Sequence, residues 1–255
     1  MPIGNELKVA IELTKNRLID DLISREVVLL WDIDGTLLST NGIGLEHLTD
    51  AFYELTGKEL HSNYQNNHGL TDYEIVLNCL SRNKNPDPQQ ISLANEVVEK
   101  YVQKYEKSNN LQQIRRFGTF NSSFFESLSN MGFLNRIVTG NCLSGAKLKL
   151  KQTNLISFFN LDESFFSNAL DWNRDAIVKR AAKHFELSNA IIIGDTFRDY
   201  SVAKSNGLQS IILNWKHDSD VSSLVDSEYV RVFEEDNILN GDFLSYLINL
   251  IKRIE

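Results

Sequence analysis

Short apolar runs that end abruptly at polar residues constrain the fold of this 255-residue chain more than any other feature. The clearest run is Val27–Trp31, and the polar segment Asp32-Ile33-Asp34-Gly35-Thr36 follows it directly. A continuous apolar run of this length is typical of a strand that is buried on both faces, as in a parallel sheet covered by helices. Further runs lie at residues 136–138, 190–193, 210–213 and, more weakly, 229–232.

Helical patterns alternate with these runs and lie at residues 122–131, 144–151, 175–185, 199–206 and 243–254. The alternation indicates right-handed βαβ units, which place helices on both faces of one parallel sheet. We therefore predict an α/β fold with a Rossmann-like, doubly wound parallel sheet. Ligands bind such sheets beyond the carboxyl ends of the strands. Polar residues that are far apart in the sequence would meet there, namely Asp32, Asp34, Thr139, Asn141 and Asp195.

The interval between residues 40 and 115 interrupts the alternation. Its apolar patterns indicate helices rather than a buried strand, at residues 45–56, 72–82 and 89–107. An interval of this length is too long for a plain crossover connection. We predict that residues 40–115 form a helical cap subdomain, inserted into a core made of residues 1–39 and 116–255.

The N-terminal segment has apolar residues at helical spacing, which predicts an amphipathic helical extension of the core at residues 5–24. Charged residues interrupt this segment throughout, so we do not expect a secretory signal peptide. Packed against the core, such a helix would have a structural role.

Composition and charge narrow the classes of function. Lys and Arg number 26 against 34 Asp and Glu, which gives a formal net charge of −8, whereas nucleic-acid binding usually requires a basic surface. The cysteines, Cys79 and Cys142, match no metal or redox spacing, so a disulfide-rich secreted scaffold is excluded. No apolar run approaches the ~20 residues that cross a bilayer. We expect a cytoplasmic protein without nucleic-acid or membrane partners.

Asp32 and Asp34 are two residues apart at the end of the first predicted strand, so regular strand geometry would place them on one face. A calcium loop of the EF-hand type fits poorly, because it requires a glycine at its sixth position and a glutamate at its twelfth. With Asp195, the pair would form an oxygen-rich site suited to Mg²⁺. Neutralisation by a metal would also allow a carboxylate to attack an anionic phosphate.

Three segments resemble motifs I, II and IV of the haloacid dehalogenase (HAD) superfamily. They are Asp32-Ile33-Asp34-Gly35-Thr36-Leu37, Val138-Thr139-Gly140-Asn141, and Ile193-Gly194-Asp195-Thr196 with Asp199. The segment Gly69-Leu70-Thr71-Asp72 resembles the cap of phosphoglycolate-phosphatase-like members, although the family often has an arginine where Leu70 stands. The resemblance covers residues 27–212, and it implies a hydrolase with a Rossmann-like core and an inserted helical cap.

The resemblance also implies phosphoryl transfer through an aspartyl-phosphate. Asp32 would be the nucleophile, and Asp34 would protonate the leaving oxygen and then activate the hydrolytic water. Dehalogenases of the superfamily lack a carboxylate at the Asp34 position, so a phosphotransfer member is favoured. Thr139 would hydrogen-bond the transferring phosphoryl oxygens. The implied Mg²⁺ ligands are Asp32, Asp195, the main-chain carbonyl of Asp34 and, as a ligand or a support, Asp199.

Four further residues are candidates for substrate binding. The main chain around Gly140 would contact the phosphoryl oxygens, and Thr36 and Asn141 would either join it or only support the turns in which they lie. His68 precedes the segment that resembles the cap, so it is a candidate contact for the rest of the substrate.

The third motif departs from the family pattern, which has a basic residue, often followed by proline, before the helix that leads to the fourth strand. Here the segment reads Leu170-Asp171-Trp172-Asn173-Arg174-Asp175. Arg174 resembles the arginine variant of some relatives and could bind a phosphate bidentately. Lys179 lies further along the predicted helix and is the alternative. We favour Arg174 as the basic catalytic residue.

These features predict a Mg²⁺-dependent phosphatase, a phosphoric monoester hydrolase, that acts on a small phosphorylated metabolite as a monomer or homodimer. A phosphomutase of the same superfamily is the alternative, because the core motifs do not decide whether water or a second sugar hydroxyl reaches the aspartyl-phosphate. A non-catalytic interaction protein on a HAD scaffold is a further alternative, which the intact Asp32, Asp34 and Asp195 disfavour.

Overall fold

A computed structural model describes residues 27–60, 69–81, 86–185, 189–224 and 229–253. Its strands are β1 (Val27–Trp31), β2 (Leu38–Ser39), β3 (Arg115–Arg116), β4 (Phe133–Cys142), β5 (Phe165–Ser167), β6 (Ala190–Gly194), β7 (Gln209–Asn214) and β8 (Val230–Glu234). Its α-helices are α1 (Ile43–Thr56), α2 (Asp72–Leu80), α3 (Pro88–Lys107), α4 (Ser122–Asn130), α5 (Leu143–Gln152), α6 (Arg174–His184), α7 (Phe197–Ser205), α8 (Ser219–Ser222), α9 (Glu235–Leu239) and α10 (Asp242–Arg253).

Six of the strands form one sheet in the order β5-β4-β1-β6-β7-β8, and all neighbouring pairs are parallel. β1 lies in the interior of the sheet, where Trp31 pairs with Ile137 of β4 on one side and with Ile193 of β6 on the other. Because the strands are parallel, their carboxyl ends meet at one edge. The predicted α/β fold with a doubly wound parallel sheet is confirmed.

Successive residues of β1 enter different apolar clusters, which explains the continuous apolar run. Leu29 and Trp31 lie in a cluster that also holds residues of α4, α5 and α10. Val28 and Leu30 lie in a second cluster with residues of α6 and α7. Alternate strand residues point to opposite faces, so the sheet has helices on both sides and no face of β1 is left for polar residues.

Trp31 anchors the first of these clusters. Its ring makes edge contacts with four phenylalanine rings, and its indole Nε1 donates a 2.9 Å hydrogen bond to Oδ1 of Asn135. A buried indole N–H requires such a partner. The large ring cluster therefore fixes the end of β1 immediately before Asp32.

The sequence patterns did not predict three short strands, β2, β3 and β5, and β4 is much longer than the apolar run at residues 136–138 that predicted it. β5 has only three residues, and it pairs with β4 as far as Cys142, so β4 continues through Thr139 and Asn141 instead of ending before them. β2 and β3 form a two-residue antiparallel ladder, with Leu38 opposite Arg116. The predicted helices that fall within the described residues are present, with ends that differ by a few residues.

The segment between the paired strands β2 and β3 carries α1, α2 and α3. Apolar residues of all three helices belong to the same cluster as Trp31. The predicted N-terminal extension at residues 5–24 and the candidate His68 lie outside the described residues. None of the helices in the described ranges combines the length and apolarity needed to cross a bilayer.

Candidate active site

A pocket of about 300 Å³ lies at the carboxyl ends of β1, β4 and β6. It is also lined by residues of the segment between β2 and β3 and by the start of α6. The polar residues predicted to converge at the strand ends all line this pocket: Asp32, Asp34, Thr139, Asn141 and Asp195.

The turn after β1 brings Gly35 close to the side chain of Asp195. The main-chain N–H of Asp32 still bonds to the carbonyl of Ile193 at 2.8 Å, and the chain then turns so that the N–H of Leu37 bonds to the carbonyl of Ile33 at 2.9 Å. Gly35 has a φ of +85°, and a Cβ placed on it would lie 2.0 Å from Oδ2 of Asp195. Only glycine permits both this conformation and the close approach of the carboxylate.

Arg174 joins two carboxylates that are distant in sequence. Its Nη1 donates to Oδ1 of Asp32 at 3.1 Å, and its Nη2 donates to Oδ1 of Asp199. The arginine is only 2% exposed. Burial raises the pKa of Asp32 above its usual range, and the charge of Arg174 opposes that rise. The contact with Arg174 therefore favours the ionised form of Asp32, against the larger effect of burial.

The start of α7 fixes Asp199. Thr196 caps this helix, and both its main-chain N–H, at 3.1 Å, and its Oγ1, at 2.7 Å, donate to Oδ2 of Asp199. Since Oδ1 accepts from Arg174, both oxygens of Asp199 have partners within the protein. Asp199 is therefore better suited to orienting Arg174 than to giving an oxygen wholly to a metal.

The acidic cluster fits a divalent cation with oxygen ligands. Asp32, Asp195 and Asp199 each offer a carboxylate oxygen, and these atoms lie within 4.8 Å of one another. Burial raises the pKa of Asp195 well above its usual range, and the neighbouring charges of Asp199 and Asp32 add to this rise. Arg174 pairs with Asp32 and Asp199, and the charge of Lys216 opposes the rise in the pKa of Asp195. A bound Mg²⁺ would relieve the repulsion that remains between the carboxylates.

Asp34 has different partners. Its Oδ2 accepts hydrogen bonds from Nζ of Lys149 at 2.6 Å and from Nδ2 of Asn141 at 2.7 Å. Nδ2 of Asn141 also donates to Oγ1 of Thr139 at 2.9 Å. The Asp34 side chain is therefore held away from the acidic cluster, and only its main-chain carbonyl remains as the metal ligand that the resemblance implies.

Sequence reasoning missed Lys149. The residue lies on α5 within a run of alternating lysines and leucines, which resembles a solvated face. Its helical position nevertheless carried a signal, because Ala146 and Leu150 share its buried stripe. A lysine on the apolar stripe of a helix requires a charged partner, and Asp34 supplies it.

The beginning of α2 contacts the carboxyl edge of the sheet directly. The N–H of Cys142 donates to Oδ2 of Asp72 at 2.9 Å, and Oγ1 of Thr71 donates to the carbonyl of Trp172. A Cβ on Gly140 would lie 3.0 Å from the carbonyl oxygen of Leu70, so the two segments are in close contact. Burial raises the pKa of Asp72 to about 6.

The remaining candidates are placed differently. Thr36 is buried and donates to Oδ1 of Asp195 at 3.3 Å, which indicates support for that carboxylate, and it is not among the residues that line the pocket. Gly140 lines the pocket, whereas Lys179 is exposed on α6 and does not. Lys216, which the sequence analysis did not single out, also lines the pocket.

Comparisons with solved structures agree with this fold. The chain is similar to a HAD-like hydrolase from Streptococcus pneumoniae at 20% identity and a TM-score of 0.59, over 88% of this chain and 99% of that one. It is similar to a phosphatase, described as predicted, from Clostridium acetobutylicum at 17% identity and a TM-score of 0.61, over 87% and 100%. It is similar to CbbY from Rhodobacter sphaeroides in complex with phosphate at 14% identity and a TM-score of 0.57, over 85% of this chain and 96% of that one.

At these identities, the structural likenesses show the fold alone. A comparison with curated proteins found no sequence match. The family model for haloacid dehalogenase-like hydrolases matches residues 29–213, which span β1 to β7 and include every side chain described in the pocket except Lys216. The chain therefore belongs to the haloacid dehalogenase-like hydrolase family.

Proposed function

We propose that this protein is a Mg²⁺-dependent phosphatase that hydrolyses a small phosphorylated metabolite through an aspartyl-phosphate on Asp32. The observation that carries the proposal is the environment of Asp32, whose buried carboxylate lines the pocket while Arg174 holds it at 3.1 Å. Carboxylates serve as nucleophiles in covalent phosphoryl transfer. Membership of a hydrolase family and the similarity to structures described as phosphatases support this assignment.

In the first half of the reaction, an oxygen of Asp32 attacks phosphorus and the bond from phosphorus to the ester oxygen breaks. Asp34 donates a proton to that leaving oxygen. In the second half, Asp34 takes a proton from a water molecule that attacks the aspartyl-phosphate, which releases inorganic phosphate and restores Asp32. Arg174 and Thr139 are the side chains that would hydrogen-bond the phosphoryl oxygens.

Asp32, Asp195 and the main-chain carbonyl of Asp34 would hold Mg²⁺, with Asp199 as a support. When bound, the metal would supply positive charge that offsets repulsion between the carboxylates and the anionic phosphate. The clustered carboxylate oxygens and the raised pKa of Asp195, caused first by burial, support this assignment.

We further propose that residues 40–115 act as a cap over a core formed by the rest of the chain. The contacts of Asp72 with Cys142 and of Glu74 with Arg198, at 2.9 Å and 2.6 Å, join the start of α2 to the core beside the pocket. A closed cap would exclude bulk water from the aspartyl-phosphate and select the substrate. The pocket volume of about 300 Å³ suits a small ligand.

A panel of phosphate esters, assayed for inorganic phosphate with and without Mg²⁺, tests the proposal. We expect release without a bisphosphate activator, loss of turnover with EDTA, and no turnover by Asp32→Asn. A beryllium trifluoride adduct should form on Asp32 in a crystal of the wild-type enzyme. Turnover by Asp32→Asn near the wild-type rate, or an adduct on another residue, would overturn the covalent mechanism. Activity that requires a bisphosphate would identify a phosphomutase instead.

A further inference from the structure

Lys149 is a buried cation inside the pocket wall. Its side chain is 4% exposed, and its Nζ lies 2.6 Å from Oδ2 of Asp34. The same Nζ donates to Oδ1 of Asn141. Lysine is almost never buried to this extent unless it is paired. The placement therefore requires an explanation, either in stability or in function.

A contribution to the stability of the fold is a poor explanation for the burial of Lys149. Replacing a buried ion pair by apolar residues of similar volume is often neutral or stabilising, so such a pair is weak evidence for a structural role. The neighbours of Lys149 on the buried stripe of α5, Ala146 and Leu150, show that this stripe already packs with apolar side chains. An apolar residue at position 149 would continue the stripe.

The hydrogen bonds of Asp34 point to function. Lys149 and Asn141 both donate to Oδ2, whereas Oδ1 is buried with no hydrogen-bond partner among the described residues. An oxygen that accepts two donors is poorly placed to carry a proton. The oxygen that is free to gain and lose a proton is therefore Oδ1.

We propose that Lys149 is a positioning residue that, together with Asn141, fixes Oδ2 of Asp34 so that Oδ1 exchanges the proton with the leaving oxygen. The inference rests on the proposed phosphatase function, since it assigns Asp34 the proton transfer described above. The proton moves from Oδ1 to the ester oxygen as the bond from that oxygen to phosphorus breaks. Lys149 itself gains and loses no proton.

The role makes a prediction about leaving groups. General acid catalysis matters most when the departing oxyanion is a strong base, and little when it is stable without a proton. Loss of the positioning residue should therefore slow the hydrolysis of phenyl phosphate more than that of p-nitrophenyl phosphate. These two esters have the same ring, so differences in binding between them are small.

The test compares the full-length enzyme with Lys149→Met, which keeps the length of the side chain but removes its charge and donors. We expect kcat/KM to fall by about tenfold or more for phenyl phosphate and by less than about threefold for p-nitrophenyl phosphate. Lys149→Arg keeps a buried cation. The ratio of its kcat/KM for phenyl phosphate to that for p-nitrophenyl phosphate should therefore lie between the ratios of the wild type and of Lys149→Met. Lys147→Met is the matched control, because Lys147 is exposed on the same helix.

An equal loss for both esters, or no loss for either, would overturn the proposal. A crystal structure of Lys149→Met gives a readout that does not depend on activity. We expect the Asp34 carboxylate to leave its place while Asp32 and Arg174 keep theirs, and an unmoved Asp34 would also overturn the proposal. If Lys149→Met does not fold, the same measurements on Lys149→Arg decide. Failure of the wild type to hydrolyse any ester would instead count against the phosphatase function.

Discussion

Asp32 and Arg174, 142 residues apart in the sequence, form a buried ion pair in which Nη1 lies 3.1 Å from Oδ1. The second nitrogen of the guanidinium donates to Asp199, so one arginine bridges the end of β1 and the start of α7. The fork of an arginine can contact two oxygens at once, which the point charge of a lysine does less well. We propose that this bridge supplies the basic group that the family pattern places before the helix leading to β6.

Arg174→Ala should reduce kcat/KM by about a hundredfold, because a charge-assisted contact to the transition state is worth on the order of 3 kcal/mol. Steady-state kinetics with p-nitrophenyl phosphate and Mg²⁺ measure the effect. Lys179→Ala, at the exposed position on the same helix, is the control and should change kcat/KM little. The reverse order of the two variants would assign the basic role to Lys179.

Arg174→Ala should also lower the stability of the folded protein. Removing one partner of a buried ion pair costs about 3–5 kcal/mol, because the other charge is left without compensation. Kinetics should therefore be measured where circular dichroism shows that Arg174→Ala is folded. Arg174→Lys keeps the charge but not the fork, and we expect it to recover stability more than activity.

Gly35→Ala should destabilise the protein by about 3 kcal/mol, from a left-handed backbone that alanine disfavours and from overpacking. Its Cβ would lie 2.0 Å from Oδ2 of Asp195, so this carboxylate must move and Mg²⁺ binding should weaken. Urea unfolding and calorimetric titration with Mg²⁺ are the measurements.

Gly57→Ala is the matched control for this effect. Gly57 also has a positive φ, of +66°, but a Cβ there would have no atom within 4 Å. Gly57→Ala should show only the cost of the left-handed backbone, about 1–2 kcal/mol, with unchanged Mg²⁺ affinity. Equal losses of stability in the two variants would show that contact with Asp195 is not what requires glycine at position 35.

Much of this site could be predicted because its parts follow strands with a strong local signal. A strand buried on both faces gives a continuous apolar run, as in Val27–Trp31, and the end of the run marks the edge where Asp32 lies. β5 has only three residues, and β2 and β3 pair over a long separation in sequence, so no local pattern marks them. Lys149 was missed because its partner, Asp34, is 115 residues away in sequence and a lysine-rich helix resembles a solvated one.

Asp195→Asn should weaken Mg²⁺ binding more than Asp199→Asn. An amide cannot neutralise the cation, whereas Asp199 already gives both oxygens to Arg174 and Thr196 and would act by orienting them. A residue that supports a metal site typically contributes about tenfold to a hundredfold in affinity, and we expect Asp195→Asn to exceed that loss. Calorimetric titration of both variants with Mg²⁺ measures the order, and equal affinities would place Asp199 among the direct ligands.

Asp72 should make the stability of the protein depend on pH. Burial raises its pKa from 3.8 to about 6 in the folded state, so the folded protein holds this proton over a range where the unfolded chain has released it. Stability from this group is therefore greatest below the unfolded pKa and falls as pH rises toward 6. Above about pH 6 Asp72 is ionised in both the folded and the unfolded state, so the full free-energy cost of burying its charge lowers the stability.

Asp72→Asn removes this titration but keeps an oxygen that can accept from the N–H of Cys142, to which Asp72 bonds at 2.9 Å. The free energy of unfolding of Asp72→Asn minus that of the wild type should therefore increase between about pH 4 and pH 7, by on the order of 2 kcal/mol. Urea titrations across this range measure the difference, in which the other titrating groups largely cancel. A difference that stays constant with pH, or that decreases as pH rises, would show that burial does not penalise the charge of Asp72 where α2 meets the core.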